Sequence, residues 1–139
     1  MVSIPESHAD ILESIALLHI GTANDDGSPQ VTPLWFNHKD GHILINSAKG
    51  RKKDRNMRAR SAVGLCIVDP DNAYRYIGMQ GNVVEITEEG GYDHINELCH
   101  KYRGPEHDFP KNPGEVRVIY KIKPTRVWTM GKKQDKQLE

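Results

Sequence analysis

Short stretches in which apolar and polar residues alternate follow one another along most of the chain, a pattern typical of half-buried β-strands. It predicts six strands, over residues 17–23, 30–36, 42–46, 62–68, 76–87 and 116–130. Residues 24–27 are Asn-Asp-Asp-Gly, a strong turn sequence, so the first two strands should form a hairpin. Gly78 and Gly81 indicate a bulge or a close backbone approach in the fifth strand, and Lys123-Pro124 should interrupt the sixth.

Helical spacing of apolar residues occurs at residues 11–18, where Ile11, Ile15 and Leu18 share one face, with Ser7 as the N-cap. Two further helices are predicted over residues 51–60 and 92–102. Residues 103–114 contain three prolines and two glycines and should form a loop. We therefore predict a single domain over residues 1–131, followed by a polar tail, residues 132–139, that we expect to be mobile.

Six strands joined by hairpin turns, with only three helices, favour a mainly β fold of the antiparallel barrel type over a doubly wound sheet. The interior of a barrel this small is filled by its own side chains. A ligand must then bind outside the barrel, where a second subunit can complete a pocket. The pattern therefore predicts a homodimer.

Nineteen basic and nineteen acidic residues leave the chain without net charge, so we expect neither nucleic acid nor a membrane as a general partner. The N-terminus has no signal-peptide pattern, and the longest apolar run, residues 62–68, is too short to span a bilayer. Cys66 and Cys99 lack the Cys-x-x-Cys spacing, which favours reduced thiols in a cytoplasmic protein, with Cys66 in the core. The seven histidines show no metal-ligand spacing, so no metal site is predicted.

The densest charge lies at residues 49–60, which include seven basic residues and one acidic residue. The segment follows a strand, contains Gly50 and opens a helix. The free amides and positive dipole of a helix N-terminus suit an anion such as phosphate. A solvated charged helix is the plain alternative. Nucleic acid binding is a weaker one, because no aromatic residues are interleaved with the basic ones.

Two other segments are candidate ligand contacts. Pro29 and Pro33 place the second strand at a sheet edge, whose open backbone N–H and C=O groups can hydrogen-bond a planar heterocycle. An ordinary edge strand with Trp35 in the core is the alternative. Tyr74 and Tyr76 flank an arginine and could hold an aromatic ring or an anionic group, although such clusters also occur at dimer interfaces.

No familiar catalytic motif is present in the sequence: there is no Gly-x-Ser-x-Gly elbow and no Walker-type loop. Cys99 and His100 are adjacent on a predicted helix and so do not face each other. A charged-ligand site without its own acid, base or nucleophile indicates a cofactor that carries the chemistry. The catalytic residues stay unassigned. His38 and Tyr102 are candidates only in the sense that they can donate protons.

Three segments resemble the pyridoxamine 5'-phosphate oxidase-like, FMN-binding split-barrel family. They are the hairpin at residues 23–33, the Arg-Lys-Lys-Asp-Arg-Asn-Met segment at residues 51–57, which matches the family's phosphate grip, and the strand at residues 81–86. Within the family the chain is most similar to the short deazaflavin-dependent reductases that use coenzyme F420. The chain ends without the Arg-Leu-x-Pro signature of the vitamin B6 oxidases, which argues against oxidation of pyridoxamine phosphate.

The resemblance implies a six-stranded antiparallel Greek-key split barrel, with the cofactor in a groove at the dimer interface. By motif match, Arg51, Lys53 and Arg55 would hold the phosphate. The remaining contacts are carried over in the same way: Gln30, Val31, Thr32 and Pro33 would border the ring, Asn46 and Ser47 the linker, and Tyr74 and Tyr76 would reach across from the other subunit.

The resemblance also implies an oxidoreductase that transfers hydride from reduced coenzyme F420 to an unsaturated organic acceptor. An FMN-binding oxidoreductase and a non-catalytic flavin-binding protein remain alternatives. Coenzyme F420 carries an acidic tail beyond its phosphate, and surplus positive charge near the grip favours it over FMN. That surplus comprises the basic residues left after Arg51 and Lys53 have met a phosphate: Lys49, Lys52, Arg55, Arg58 and Arg60.

Overall fold

The computed structural model describes residues 2–133, so most of the predicted tail lies outside the described residues. A 3₁₀-helix (Glu6–Glu13) precedes seven strands and two α-helices. In chain order these are β1 (Leu18–Ala23), β2 (Pro29–Leu34), β3 (Phe36–Lys39), β4 (His42–Ala48), α1 (Lys52–Ala59), β5 (Ala62–Val68), β6 (Tyr76–Thr87), α2 (Gly91–Arg103) and β7 (Arg117–Met130).

All strand pairs are antiparallel, in the order β2-β1-β5-β6-β7-β4-β3. β2 and β3 therefore stand at opposite ends of the order, yet only Trp35 separates them in the chain. A single residue can join two sheet edges only if the sheet curls until its edges meet, so the sheet is a barrel. The mainly β, antiparallel prediction is confirmed, but the strand count is seven because the predicted strand 30–36 divides at Trp35.

The barrel interior is filled by side chains, as predicted. Alternate residues of each strand point inward. The inward set includes Leu18 and Ile20 of β1, Ile45 of β4 and Tyr120 of β7, all with almost no exposed surface. The interior leaves no room for a flat ligand, so a binding site must lie outside it.

The outward face of the sheet corrects one prediction. Cys66 was expected in the core, but alternation along β5 turns it outward, where it is half-buried and pairs with Gly78 of β6.

Gly78 and Gly81 are close-approach points as predicted, because a Cβ atom would collide with the Trp128 indole at Gly78 and with β7 at Gly81. β7 is continuous through Lys123-Pro124, and its register shifts where Gly81 pairs with Pro124.

The N-terminal helix also differs from the prediction. It is a 3₁₀-helix that ends at Glu13, and the residue at its N-cap is Pro5 rather than Ser7. Ser14 ends it, because its hydroxyl donates to Ile11 O at 2.7 Å and accepts from Ala16 N at 3.1 Å. The chain turns here, and β1 begins at Leu18. None of the helices within residues 2–133 is long and apolar enough to cross a bilayer.

Arg75 ties the N-terminal helix to the turn before β6. Its side chain is only 1% exposed, and its guanidinium donates to both carboxylate oxygens of Asp10, at 2.6 and 3.0 Å. It also donates to Asp69 at 2.9 Å and to the backbone oxygen of Ser7 at 2.7 Å. The arginine between the two predicted ligand-binding tyrosines is therefore a structural residue.

Replacing this arginine should destabilise the fold. We expect Arg75→Ala to lower the free energy of unfolding by about 3 kcal/mol, because it breaks a buried charge network. Lys133→Ala, which removes an exposed contact to the same Asp10 carboxylate at 3.8 Å, should cost less than about 1 kcal/mol. Urea unfolding of both variants tests this, and equal losses would contradict the structural role of Arg75.

Candidate functional site

The loop between β4 and α1 is shaped by a buried carboxylate. Asp54 accepts hydrogen bonds from Gly50 N at 2.8 Å, Arg58 Nε at 2.9 Å and the Tyr120 hydroxyl at 2.6 Å. Burial alone would raise the pKa of Asp54, but these hydrogen bonds outweigh it and the pKa is lowered. Gly50 has a φ of +93°, which a residue with a side chain rarely adopts. Gly50 and the Asp54 carboxylate therefore shape the turn that presents Arg51 and Lys53.

Two residues of the predicted phosphate grip serve the fold instead. Asn56 donates to Thr22 Oγ1 at 3.0 Å and to Asn24 Oδ1 at 2.8 Å, which docks α1 on the β1–β2 hairpin. Met57 is buried in the barrel core. The Asn-Met pair of the motif thus fixes where α1 lies.

The basic residues of the segment divide into two groups. Three of them meet carboxylates: Lys49 pairs with Glu88, Arg58 with Asp54 and Arg60 with Asp25, at 2.8 to 3.0 Å. The other four have no ion pair with the described residues: Arg51, Lys52, Lys53 and Arg55. Most of the predicted surplus positive charge is therefore neutralised within the fold.

Arg51 and Lys53 open into a cavity of about 320 Å³, within the size range of small-molecule sites. It lies between the β2–β3 corner, the end of β4, α2 and the loop before β7. Its polar side consists of Asn46, Arg51, Lys53 and Arg117. Its apolar side consists of Leu17, Pro33, Leu34, Trp35, Ile95 and Phe109.

The apolar wall is built on stacked aromatic rings. Trp35 stacks on Tyr102, with ring centroids 5.4 Å apart, and meets the edge of Phe109 at 6.4 Å. The Tyr102 hydroxyl donates to Ala16 O at 2.6 Å and accepts from Phe36 N at 3.3 Å. Burial raises the pKa of Tyr102 to about 12. Tyr102 therefore holds the wall in place, and its hydroxyl proton is donated to the backbone oxygen of Ala16.

The polar wall concentrates positive charge. Lys53 is half-buried, and its pKa is lowered first by burial and then by the charges of Arg51 and Arg117. The pKa of Arg117 is likewise lowered, mainly by burial and further by Arg51, while Glu115 opposes the shift. Three cations thus lie close enough to repel one another, and an anion bound among them would relieve that repulsion.

Arg117 was missed by sequence reasoning. It begins β7, and strand pairing places it opposite Ala48, immediately before the loop between β4 and α1 (residues 49–51), called the grip loop below. The two residues are 69 positions apart, and only the β4–β7 pairing, which no local pattern reveals, brings them together.

Asn46 lines the cavity, but its amide is engaged by the protein. Its Oδ1 accepts from Arg117 Nε at 2.9 Å, and its Nδ2 donates to Gly91 O at 2.9 Å and to His94 Nδ1 at 3.1 Å. His94 Nε2 in turn donates to Asn37 Oδ1 at 2.8 Å. Burial lowers the pKa of His94 to about 4. The imidazole is therefore neutral near pH 7 and can accept the Asn46 hydrogen bond.

Of the predicted cofactor residues, the cavity brings together Pro33, Asn46, Arg51 and Lys53. Gln30, Thr32 and Ser47 do not line it, but they share another property. Within residues 2–133, four buried side-chain polar atoms lack a hydrogen-bond partner, and three of them are Gln30 Oε1, Thr32 Oγ1 and Ser47 Oγ. Buried polar atoms are rarely left unpaired, so these are candidate ligand contacts.

The other predicted residues lie elsewhere. Val31 points outward from β2 and is 64% exposed, and Arg55 is exposed on α1. Tyr74 is exposed in the turn before β6, and Tyr76 is half-buried at the start of that strand. None of these four residues lines the cavity. They could contact a cofactor only where it extends beyond this cavity, or where a second subunit brings them to it.

A second, larger cavity of about 540 Å³ lies on the outer face of the sheet around Gly21, Gly64 and Gln80. No charged residue lines it, so it offers nothing to a phosphate. Within the described part of the chain, no group of three or more His, Cys, Asp or Glu residues could hold a metal ion. A further cavity of about 430 Å³ is lined by Lys111 and Arg117 but also by Asp93 and Glu115, so its charges balance. The 320 Å³ cavity, which has three cations and no carboxylate in its lining, is therefore the candidate cofactor site.

The sequence matches the family model described as pyridoxamine 5'-phosphate oxidase over residues 4–131. The chain belongs to this family. No curated protein matches it significantly. Among solved structures of similar fold, an F420 reductase is 32% identical, with a TM-score of 0.81, covering 90% of this chain and 98% of the reductase.

Two further structures support the family fold alone. A conserved hypothetical protein from Mycobacterium tuberculosis is 24% identical with a TM-score of 0.73, covering 93% of this chain and 86% of its own. General Stress Protein 26 from Bacillus anthracis is 18% identical with a TM-score of 0.67, covering 92% and 94%. The resemblance noted from the sequence is thus confirmed at the level of the oxidase-family split barrel.

The buried His94 should make the fold sensitive to acid. The pKa of His94 is about 4 in the folded protein and 6.5 ordinarily, so the unfolded chain binds this proton first. Stability should therefore be intact above pH 6.5 and fall as the pH approaches 4, by about 3 kcal/mol in total.

Urea unfolding of the wild type and of His94→Gln over this pH range measures the effect. The wild type should lose stability more steeply with acid, because glutamine does not titrate. The other histidines are common to both proteins and cancel in the comparison. Parallel pH profiles would show that His94 is not the responsible group.

Proposed function

We propose that this protein is an oxidoreductase that binds a phosphate-bearing deazaflavin, coenzyme F420, and transfers hydride to an unsaturated organic acceptor. The observation that carries the proposal is the cationic cavity at the end of β2, where Arg51 and Lys53 converge beside an apolar, aromatic wall. The similar F420 reductase, with which this chain shares 32% identity, supports the choice of cofactor.

The residues present fit such a cofactor. Arg51 and Lys53 would hold its phosphate by charge-assisted hydrogen bonds, which are among the stronger polar contacts in proteins. The unpaired oxygens of Gln30 and Thr32, on the strand that leads to the cavity, would hydrogen-bond the polar edge of the ring. Ser47 Oγ, which is also unpaired, belongs to the residue that follows Asn46 in the cavity wall. When bound, the cofactor supplies the hydride chemistry, while the chain orients it and keeps water from the ring.

A protein-derived proton donor is not assigned. Tyr102 is excluded from that role because its hydroxyl already donates to Ala16 O. His38 is half-buried on β3 and does not line the cavity. The proposed reaction therefore depends on orientation and electrostatics rather than on a dedicated acid of this subunit.

FMN is the second candidate cofactor, since the phosphate grip alone does not separate the two. The charge surplus that favoured coenzyme F420 is smaller than the sequence suggested, because Lys49, Arg58 and Arg60 pair with carboxylates. Lys52 and Arg55 remain for an acidic tail, and exposed contacts of this kind are weak and screened by salt. We expect coenzyme F420 to bind more tightly than FMN at low salt, with a gap that narrows as salt rises.

A non-catalytic flavin-binding protein is the third candidate, because the same cavity could hold a cofactor without turning over a substrate. Reoxidation of the bound, reduced cofactor separates the two functions. An enzyme should show reoxidation that an added unsaturated acceptor accelerates, whereas a carrier should show the same rate with and without acceptor.

Loss of a grip cation should weaken cofactor binding. We expect Arg51→Ala and Lys53→Ala each to reduce the affinity for FMN and coenzyme F420 by about tenfold to a hundredfold, from the strength of one charge-assisted hydrogen bond. Lys52→Ala, which removes the adjacent exposed cation, is the matched control for FMN, which has no acidic tail, and should change FMN affinity less than about threefold. Flavin absorbance and fluorescence titrations measure this. Unchanged affinity in both grip variants would overturn the proposed site.

We also propose that the protein is a homodimer that pairs through the outer face of the sheet. Gly21 and Gly64 are register partners and line the uncharged cavity of about 540 Å³ on this face. Around them lie exposed apolar residues, Val31 at 64%, Trp128 at 44% and Met130 at 56% exposure. A concave, partly apolar face of this kind suits a second copy of the chain. Tyr74 and Tyr76, at one end of this face, would then approach the other subunit.

An arginine at the centre of this face should prevent pairing. A side chain at Gly64 would meet nothing within 4 Å in the single chain, so Gly64→Arg should fold normally yet give a monomer. Glu97→Arg on the exposed side of α2 is the control and should leave assembly unchanged. Light scattering should give twice the chain mass for the wild type and control. A monomeric wild type, or a dimeric Gly64→Arg variant, would contradict the proposed interface.

A further inference from the structure

We infer that Arg117 is a third phosphate-binding residue of the cavity, held in position by Asn46 and His94. This inference rests on the proposed function for the identity of the cofactor, but the chemistry it assigns, recognition of a phosphoryl group by a fixed guanidinium, is a property of the chain itself.

The guanidinium of Arg117 is fixed on one side and open on the other. Its side chain is only 8% exposed. Nε donates to Asn46 Oδ1 at 2.9 Å, Nη1 donates to Glu115 at 3.2 Å, and the group lies over the Phe109 ring at 5.0 Å. Nη2 has no partner among residues 2–133, and Arg117 lines both this cavity and the neighbouring one around Tyr92 and Glu115. A donor without a partner beside a cavity is available to a ligand.

Arg75 is another buried arginine of the fold, and its guanidinium contacts differ from those of Arg117. Both terminal nitrogens of Arg75 donate to protein oxygens, from Asp10, Asp69 and Ser7. Arg75, a structural residue, thus uses both terminal nitrogens, while its buried Nε has no partner among the described residues. Arg117 uses Nε and Nη1 only, which leaves Nη2 as the donor that an anion in the cavity would take.

The charges around Arg117 favour an anion. The charge of Arg51 helps to lower the pKa of Arg117, and the charge of Arg117 helps to lower the pKa of Lys53. Glu115 is the carboxylate that accepts a hydrogen bond from Arg117. Three cations against one carboxylate leave the cavity with excess positive charge in a partly desolvated setting. There, a charge-assisted hydrogen bond to a phosphoryl oxygen is stronger than at the surface.

Asn46 and His94 act on Arg117 as positioning residues. The Asn46 amide cannot rotate, because its Nδ2 is held by Gly91 O and by His94 Nδ1. Its Oδ1 is therefore directed at Arg117 Nε. Gly91 adds a second constraint: a Cβ atom there would collide with the backbone of Arg117, so only glycine lets α2 lie this close to β7. This network fixes the direction of the guanidinium.

Flavin titrations with and without a phosphate test the assignment. Arg117→Gln, which retains a donor toward Asn46, should weaken FMN binding by about tenfold to a hundredfold and change riboflavin affinity less than about twofold. Arg117→Lys should give an intermediate loss for FMN. Arg103→Ala, which removes an exposed arginine at the end of α2, should match the wild type. Melting curves of each variant establish that it is folded.

The positioning role has its own readout. Asn46→Ala should weaken FMN binding in the wild-type background but have no further effect when combined with Arg117→Gln, since it acts through Arg117. Additive losses in the double variant would overturn the positioning role. An equal loss of FMN and riboflavin affinity in Arg117→Gln would overturn the phosphate assignment.

The inference and the proposed function can fail separately. If FMN binds and Lys53→Ala weakens it while Arg117→Gln does not, the inference is wrong and the proposed function stands. If the wild type binds neither FMN nor coenzyme F420, the proposed function fails, and inorganic phosphate then tests Arg117. Phosphate should raise the melting temperature of the wild type above that in chloride of equal ionic strength, but not that of Arg117→Gln. An equal rise in both would overturn the inference.

Discussion

The candidate site depends on the buried carboxylate of Asp54. It receives a backbone N–H from the grip loop, a guanidinium from α1 and the hydroxyl of Tyr120 from β7, so one side chain joins three parts of the molecule. Burying a carboxylate is costly unless its oxygens are well hydrogen-bonded, and here they are. Because the barrel core and the grip loop share this residue, the positions of Arg51 and Lys53 are set by the same packing that closes the barrel.

The cavity brings three positively charged side chains together because the surrounding structure holds the segments that carry them. Arg51, Lys53 and Arg117 repel one another, and a mobile loop would relieve that repulsion by moving them apart. Instead the backbone that carries Arg51 and Lys53 is held by the Asp54 turn, and the Arg117 side chain is held by Asn46 and Glu115. Under the proposed function, the cations that would bind a phosphate are therefore already arranged before the ligand arrives.

The sequence predicted the strands well where the signal is local. The bounds of β5 and β6 match the predicted ranges, because alternation and flanking turns define both ends. It did not reveal the corner at Trp35, since apolar residues continue through it, and it overestimated the first helix, whose end is set by hydrogen bonds of Ser14. Both failures concern places where hydrogen bonding or chain direction overrides the apolar pattern.

For the site, the motif led to Arg51 and Lys53 but not to the residues that complete the cavity. Arg117 comes from the β4–β7 pairing, and the pairing of Lys49 with Glu88 and of Arg60 with Asp25 removes charge that the sequence left free. These contacts join residues that are distant in the chain, so spacing alone could not predict them.

The central claim is that the cavity formed by Arg51, Lys53 and Arg117 binds the phosphate of a flavin-type cofactor. A crystal structure of the protein grown with FMN or coenzyme F420 tests it most directly. The account predicts phosphate oxygens within hydrogen-bond distance of Lys53 Nζ and Arg117 Nη2, with the ring alongside Gln30 and Thr32. A cofactor bound with its phosphate on another surface, and this cavity without it, would contradict the account.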